Sequence, residues 1–547
     1  MVSPALLEDL ASALDSRQID VGFKLLKQNR DQFTDFSPAS PNSGVALGRL
    51  AEWIDVGFGG ESLLDEALGG LSSEVSRTLP VSDYINIRLA RAEVAMRRED
   101  LTQALEHLDF VLGIGPELND KRLMAVANFW KARCLRKAGE YDWALEFAQS
   151  GRDLAIGAGL TPMASVIRIL ESWLLFQRGK SKEAVRVLQE AEAVLRETDD
   201  FISLGNIQSA YGRIARREGR YEHAMQYFDS AIEIFKRRPS LRGYLARSLT
   251  NLAKAKRLLA LQLKRRMDAE REQNRSSRRG EYVKEGKAGQ LERIRSLLHD
   301  ALADLKQADE IYRNPLTHHG AGNVQIGFGE IYLDLGHLEE AYEAAQKAFE
   351  LGSSKADYLL MCRARIAQAM WGNARFEEQI GDGEEPSRFA QFAYDSAHEA
   401  VTFAEHTQSR RILARANIWQ GLVLVNGFFN NPEMARACAD KAEEYLSTDR
   451  YGALWEDLKL LRTRILRGSK LDPNLRAWSQ GVVGEKSLQQ VVEEFEALVI
   501  SKVWEREGRK VSRVAQRLLV SPKKVRRLLR RLGLLAESEA ADATSGK

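Results

Sequence analysis

The sequence predicts an all-α protein in two parts, a long helical-repeat solenoid followed by a small basic module of short helices. Three observations predict it. A triplet of small and apolar residues recurs with a fixed period, and positive charge is concentrated close to the C-terminal end. The chain is also rich in helix formers, being 44% hydrophobic and 29% charged with 12 prolines in 547 residues. A chain of that length is expected to hold two or more structural units.

The triplet sets a small residue ahead of apolar or small residues four and seven positions later. Its first copies are Ala104, Leu108 and Val111, then Ala144, Ala148 and Gly151, each 40 residues apart. Ala184, Leu188 and Ala191 follow, then Ala224, Phe228 and Ala231, at the same interval of 40. Beyond an insertion come Ala301, Leu305 and Ala308, and 40 residues later Ala341, Ala345 and Ala348. Ala393, Ala397 and Ala400, and Ala435, Ala439 and Ala442, are looser copies. A fixed period of this size marks a solenoid of stacked supersecondary units.

Two copies resemble the tetratricopeptide repeat (TPR). One runs Tyr211-Gly212, Ala215, Gly219, Tyr221, Ala224, Phe228, Ala231; the other runs Phe328-Gly329, Tyr332, Gly336, Leu338, Ala341, Ala348. Glycine in the first helix and alanine in the second let two helices approach closely, and the glycine between them turns the chain. The period exceeds the roughly 34 residues of the standard repeat, so longer helices or loops are expected. The TPR-like resemblance spans about residues 84–447. It implies a concave face that binds a peptide or protein partner, without any common chemistry. The first helix of each pair lines that face. The expected partner-groove residues are Arg88, Arg91, Asn128, Asn206, Arg213, Asn323, Gln325 and Glu330.

Residues 1–80 read as a helical region of degenerate repeats, with a Pro/Ser/Asn loop from Ser37 to Gly44. From Ala224 to Ala301 the period stretches to 77 residues. The extra residues lie around 260–290, and residues 264–279 hold seven Arg/Lys and three acids. This reads as a long helix running into solvent and then a basic loop. The alternative is a second arm that contacts phosphates or docks a partner. The solenoid is expected over 84–466, with a linker at 467–486 containing Gly468-Ser469-Lys470 and Gly481-Val482-Val483-Gly484.

A new helix opens at Ser487-Leu488-Gln489-Gln490, a capping box. Its apolar stripe includes Val491, Val492, Phe495, Leu498 and Val499. Gly508 ends it. A short helix, a tight turn and a second helix follow, with Ser521 as N-cap and Pro522 at the first helical position. In the second helix Val525, Leu529 and Leu532 share one face, while Lys523, Arg527 and Arg530 point the other way with Arg531 close by. Residues 501–534 hold 12 Lys/Arg and 2 Asp/Glu, a net charge of +10. The whole chain is only +3, which leaves residues 1–500 at −5 and the last residues at −2. A basic module on an acidic body is the footprint of a nucleic-acid-binding appendage.

From Val511 to Leu534 this stretch resembles the Fis-type helix-turn-helix without a gap. It keeps Val511, Ser512, Arg513, Ala515, Leu518, Ser521, Arg527, Leu529, Leu532, Gly533 and Leu534 of the family pattern. It departs at Leu519, where the family favours a turn glycine, at Arg526 and at Lys510. The resemblance implies a helix-turn-helix domain over 487–535 that binds double-stranded DNA, with residues 536–547 as a disordered tail. The implied DNA-binding residues are Arg509, Lys510, Arg513, Lys523, Lys524, Arg526, Arg527, Arg530 and Arg531. It also implies a homodimer through the preceding helix, at Val491, Val492, Phe495, Leu498 and Val499. That stripe packing on its own module or on the solenoid is the alternative.

Enzyme chemistry is not expected. Gly179-Lys180-Ser181 echoes a phosphate loop, but the motif needs a glycine where Leu174 stands. His318-His319 has no nearby ligand at metal spacing. Cys134, Cys362 and Cys438 are widely separated and read as reduced thiols. No stretch approaches a membrane span and no signal peptide opens the chain, so a cytoplasmic, nucleoid-associated protein without metal or cofactor is expected. The functional expectation is a transcriptional regulator with a partner-binding solenoid. The rival is a scaffold whose basic end docks on a protein or RNA.

Overall fold

The computed structural model describes residues 2–34, 42–71, 78–276, 284–313, 317–378, 384–447, 452–468 and 486–535. The expected linker from 469 onward, the tail at 536–547, residues 277–283 of the insertion and most of the Ser37–Gly44 loop lie outside them. The chain divides into two compact units, Met1–Arg464 and Ile465–Lys547. Among the described residues there are twenty-five α-helices and no β-strand.

In the first unit the chain opens with α1 (Pro4–Asp15), α2 (Ile19–Gln28), α3 (Arg30–Thr34), α4 (Ser43–Asp55) and α5 (Glu61–Gly69). Antiparallel pairs then follow in order. They are α6 (Val81–Arg97) with α7 (Leu101–Ile114), and α8 (Lys121–Ala138) with α9 (Tyr141–Gly157). Next come α10 (Thr161–Gln177) with α11 (Ser181–Leu195), and α12 (Phe201–Arg217) with α13 (Tyr221–Lys236). The long pair is α14 (Arg242–Ser276) with α15 (Lys284–Tyr312). The series continues with α16 (His318–Leu335) and α17 (Leu338–Ser353), then α18 (Tyr358–Glu378) and α19 (Glu384–Glu405). It closes with α20 (Arg410–Leu424), α21 (Pro432–Tyr445) and α22 (Ala453–Gly468).

The repeating triplets lie on the second helix of each pair and face the first. The leading alanine of every triplet is at most 1% exposed: Ala104, Ala144, Ala184, Ala224, Ala301, Ala341, Ala393 and Ala435. A methyl group at that point is what lets the paired backbones close up. At Gly372 in α18 an added Cβ would meet the Phe389 carbonyl at 3.0 Å and Ala393 at 3.1 Å, so the small residue is required on both partners. The insertion is a lengthening of one pair. At about 1.5 Å per residue the 35 residues of α14 run roughly twice as far as the 17 of α12. Met267 on the extension is buried, and Arg265 is ion-paired to Asp457 of α22 at 2.6 Å.

Helices remote in sequence also touch. The Gln408 amide donates to the Gly139 carbonyl at 3.1 Å, and the Asp142 amide donates to Gln408 Oε1 at 2.7 Å. The Asp20 amide donates to Asp199 at 2.8 Å, Arg17 pairs with Asp200 at 3.4 Å, and the His319 amide donates to Glu99 at 3.3 Å. The superhelix is therefore wound tightly enough for its turns to bond edge to edge, and the first helices of the pairs face one another across its interior.

The second unit holds α23 (Leu488–Arg506), α24 (Val511–Leu518) and α25 (Pro522–Arg531). Ser487 and Gln490 form a reciprocal capping box, and Ser521 accepts from the Lys524 amide with Pro522 at the start of α25. Ile500, Trp504, Val514, Ala515, Val525, Leu528 and Leu529 make its core. Leu519 ends α24 in the left-handed region, at φ 53° and ψ 39°, with its side chain 91% exposed. The turn has the geometry for which glycine is favoured, held here by a leucine that buries nothing.

Gly452 tests the winding. It sits at φ +78°, and a Cβ there would come within 2.1 Å of the Arg217 carbonyl of α12. Gly219 has a φ of +79° and nothing within 4 Å. Gly219→Ala is expected to cost about 1 kcal/mol from backbone strain alone, and Gly452→Ala distinctly more. Chemical denaturation of the full chain measures both, and equal losses would show that the contact between turns contributes nothing.

Candidate functional site

Two surfaces concentrate charge, one in each unit. In the second unit Arg509, Lys510, Arg513, Lys523, Arg526, Arg527 and Arg530 are exposed, and none has a carboxylate partner among the described residues. Lys524 and Arg531 lie differently. Lys524 pairs with Glu496 of α23 at 2.9 Å, and Arg531 pairs with Glu493 at 3.2 Å. The helical period explains the split: residues seven apart share the face turned toward α23, whose acids neutralise them. On α23, Val491 is buried and Leu498 and Val499 are half-buried. Leu488, Val492 and Phe495 are exposed at 79%, 49% and 48% and form one stripe.

The first unit carries its charge inside. Of the residues expected to line the groove, Asn206 and Asn323 each hold an arginine of the next first helix. Arg247 of α14 donates to Asn206 Oδ1 at 2.5 Å, and Arg363 of α18 donates to Asn323 Oδ1 at 2.6 Å. Arg216 of α12 donates to Asn251 Oδ1 of α14 at 2.9 Å. The carboxamides are themselves fixed, since Asn251 and Asn323 donate to the carbonyls four residues back at 2.9 and 2.8 Å. Asn128 does the same toward Met124 at 2.7 Å.

Arg213 has no hydrogen bond or ion pair among the described residues, and its Nε is buried without a partner. Arg88 stacks over Phe110 at 4.6 Å. Beside it, burial, Arg88 and Arg91 push His107 down to about 4. Gln325 donates to Asp309 of α15 at 3.2 Å, between helices rather than on the interior face. Glu330 is buried and accepts from Arg257 at 2.8 Å and from Arg415. Burial opposes ionisation there, yet Arg257, Arg415 and Lys254 hold its carboxyl well below the usual range.

Several interior cations were not singled out from the sequence: Arg136, Arg216, Arg247, Lys254, Arg363 and Arg415. The signal was present in the repeat phase. Arg133 and Arg213, and Arg136 and Arg216, are each 80 residues apart, twice the period, and Asn323 and Arg363 are 40 apart. These cations crowd one another. Burial, then Arg247 and Arg133, brings Arg136 down to about 10. Burial and Arg363 do the same for Arg216, to about 10. Burial, with Arg247, Arg136 and Arg216 around it, lowers Arg213 further. Burial and Arg363 push the Lys254 ammonium down to about 7, with Glu330 opposing.

A tetratricopeptide-repeat family model matches residues 206–237 and 324–351. No curated protein matches. Several solved structures align over most of the chain. The human IFIT1 dimer with m7Gppp-AAAA is 13% identical at a TM-score of 0.45, over 86% of this chain and 96% of that one. The apo quorum sensor NprR from B. thuringiensis is 13% identical at 0.46, over 72% and 97%. The Rap conjugation gene regulator of plasmid pLS20, in complex with the Phr* peptide, is 12% identical at 0.39, over 74% and 96%. No helix among the described residues is long and apolar enough to cross a membrane, and no cluster of His, Cys, Asp and Glu among them is arranged to hold a metal ion.

The crowding has a pH signature. Lys254 falls to about 7 in the folded protein against 10.5 unconstrained, so the unfolded chain holds that proton more tightly. Between those two values the unfolded state binds more protons, and the contribution of Lys254 to stability rises with pH across that window. Lys254→Met should abolish the rise and stabilise the protein at pH 7 by about 1 kcal/mol or more. Urea unfolding at pH 7 and 9.5 reads both effects, and a destabilised variant at pH 7 would contradict the crowding.

Proposed function

We propose that this protein is a DNA-binding transcriptional regulator in which the second unit reads duplex DNA and the solenoid receives the regulatory partner. One observation carries the DNA half of this reading. Seven cations of the second unit have no carboxylate partner among the described residues, while the two that face α23 are neutralised by its acids. Uncompensated Arg and Lys on a short helix suit the major groove, where guanidinium groups pair with guanine edges and with phosphates. The Fis-type spacing from Val511 to Leu534 supports the same assignment, as does the left-handed turn at Leu519. The partner half rests on the TPR-like solenoid, whose first helices present a continuous interior face.

Duplex DNA binding by the full chain should weaken with salt, each neutralised phosphate adding about 0.9 to the slope of log K against log salt. Arg527→Ala should cost about 1–3 kcal/mol on the preferred site and flatten sequence preference, whereas Arg509→Ala should weaken all sequences alike. Arg531→Ala should matter less than either, because Arg531 is spent on Glu493. Titration of the three variants on specific and random duplexes decides this. Equal losses everywhere, or tighter binding to single-stranded RNA, would favour a scaffold whose basic end docks elsewhere.

Assembly through α23 belongs to the same proposal. The exposed stripe of Leu488, Val492 and Phe495 supports it, since two copies of the unit can cover each other there and read half-sites about one helical turn apart. Val492→Glu with Phe495→Lys is expected to convert a dimer to a monomer and to weaken binding to paired half-sites. Light scattering that finds the parent protein monomeric would refute it.

A further inference from the structure

The interior of the solenoid is cationic although the body of the protein is acidic. Residues 1–500 carry a net charge of −5. The cations that line the interior come from α8, α12, α14 and α18, which are far apart in sequence. They are brought together by the winding that joins Gly139 to Gln408 and Glu99 to His319. Arg136, Arg213 and Lys254 have no hydrogen bond or ion pair to a carboxylate among the described residues. Arg216, Arg247 and Arg363 are anchored, but each to the neutral carboxamide oxygen of an asparagine. A neutral anchor fixes the guanidinium while leaving its charge uncompensated. The Nε atoms of Arg213 and Arg247 are buried without partners. Like charges held together on a half-buried face repel, and an anion among them lowers that cost.

We propose that the solenoid interior is a binding site for a compact oligophosphate, held between Arg136, Arg213, Arg216, Arg247, Lys254 and Arg363. This rests on the reading of the solenoid as the module that receives a ligand, and it names the ligand's chemistry. These six side chains offer donors and no acceptors, which favours phosphate over peptide. The Asn206, Asn251 and Asn323 oxygens are taken by arginines, and the Glu330 carboxylate by Arg257 and Arg415. A peptide would bring backbone N–H groups that find no acceptor, and stranding them is costly. A phosphate chain brings only acceptors, and guanidinium forks match its oxygens in pairs. The cations converge from several helices around one interior, which suits a compact ligand with two or more phosphates. Inorganic polyphosphate and a nucleoside polyphosphate share this chemistry.

The test uses the full chain at low salt, with tripolyphosphate, ATP, GTP and a hexa-aspartate peptide as probes in calorimetric titrations. Tripolyphosphate and the nucleotides are expected to bind and to raise the melting temperature. Tighter binding of a nucleotide than of tripolyphosphate would assign a base contact as well. Arg213→Gln and Lys254→Gln should each weaken phosphate binding tenfold or more. Their ligand-free melting temperatures should rise, as a structural ion pair would not allow. Arg186→Gln, on an exposed pair with Glu190, should leave binding unchanged. Absence of binding by any phosphate probe overturns the proposal, as does equal weakening by all three variants. Hexa-aspartate binding as tightly as tripolyphosphate overturns the phosphate assignment, yet leaves a ligand-receiving solenoid standing. DNA titration of the same variants keeps the two questions apart, since the substitutions lie outside the second unit.

Discussion

Paired helices in this protein meet through residues as small as a methyl group, and the rest of the first unit depends on that closeness. Each second helix opens its contact with an alanine that is at most 1% exposed, from Ala104 through to Ala435. A larger side chain at any of these positions would push the pair apart, because interiors packed to crystal density do not absorb added volume cheaply. One pair cannot bury its own apolar face, so the pairs stack and the small rotation at each step accumulates into a superhelix. The rotation is large enough that sequence-distant helices bond edge to edge, as Gln408 does to Gly139 and Asp142.

That winding turns a set of unremarkable polar positions into a single environment. Arg136, Arg216 and Arg363 would be ordinary solvated cations on separate helices. Inside the superhelix they share a confined interior, where burial and mutual repulsion lower the affinity of Arg136 and Arg216 for their protons. Glu330 shows the converse. It is buried, yet its cationic neighbours keep it ionised. Asn251 and Asn323 act as spacers in this arrangement, since each fixes its own carboxamide to its helix and offers its oxygen to an arginine of the neighbouring pair.

The second unit handles charge in the opposite way. Its core is small, centred on Trp504, Val525 and Leu529, and its cations stay outside. Glu493 and Glu496 neutralise the two that lean back on α23, so the basic face is narrower than the residue count implies. Leu519 ends α24 in the left-handed region, the backbone conformation for which glycine is favoured.

Periodicity in the sequence determined a great deal. The alanine triplets specified where helices pair, because local side-chain volume sets how close two helices come. The capping box at Ser487 and the N-cap at Ser521 were legible because they involve residues three apart on one segment. Of the expected groove, Asn206, Arg213, Asn323 and Glu330 lie together with the interior cations, while Gln325 is spent on Asp309. Only the tertiary structure decided that Arg136, Arg213, Lys254 and Arg363 form one cluster, and that Lys524 and Arg531 are neutralised. Net charge could not reveal the cluster, since it averages an acidic exterior with a cationic interior. Electrostatic interaction depends on distance and on the surrounding dielectric, and both are set by how the repeats wind.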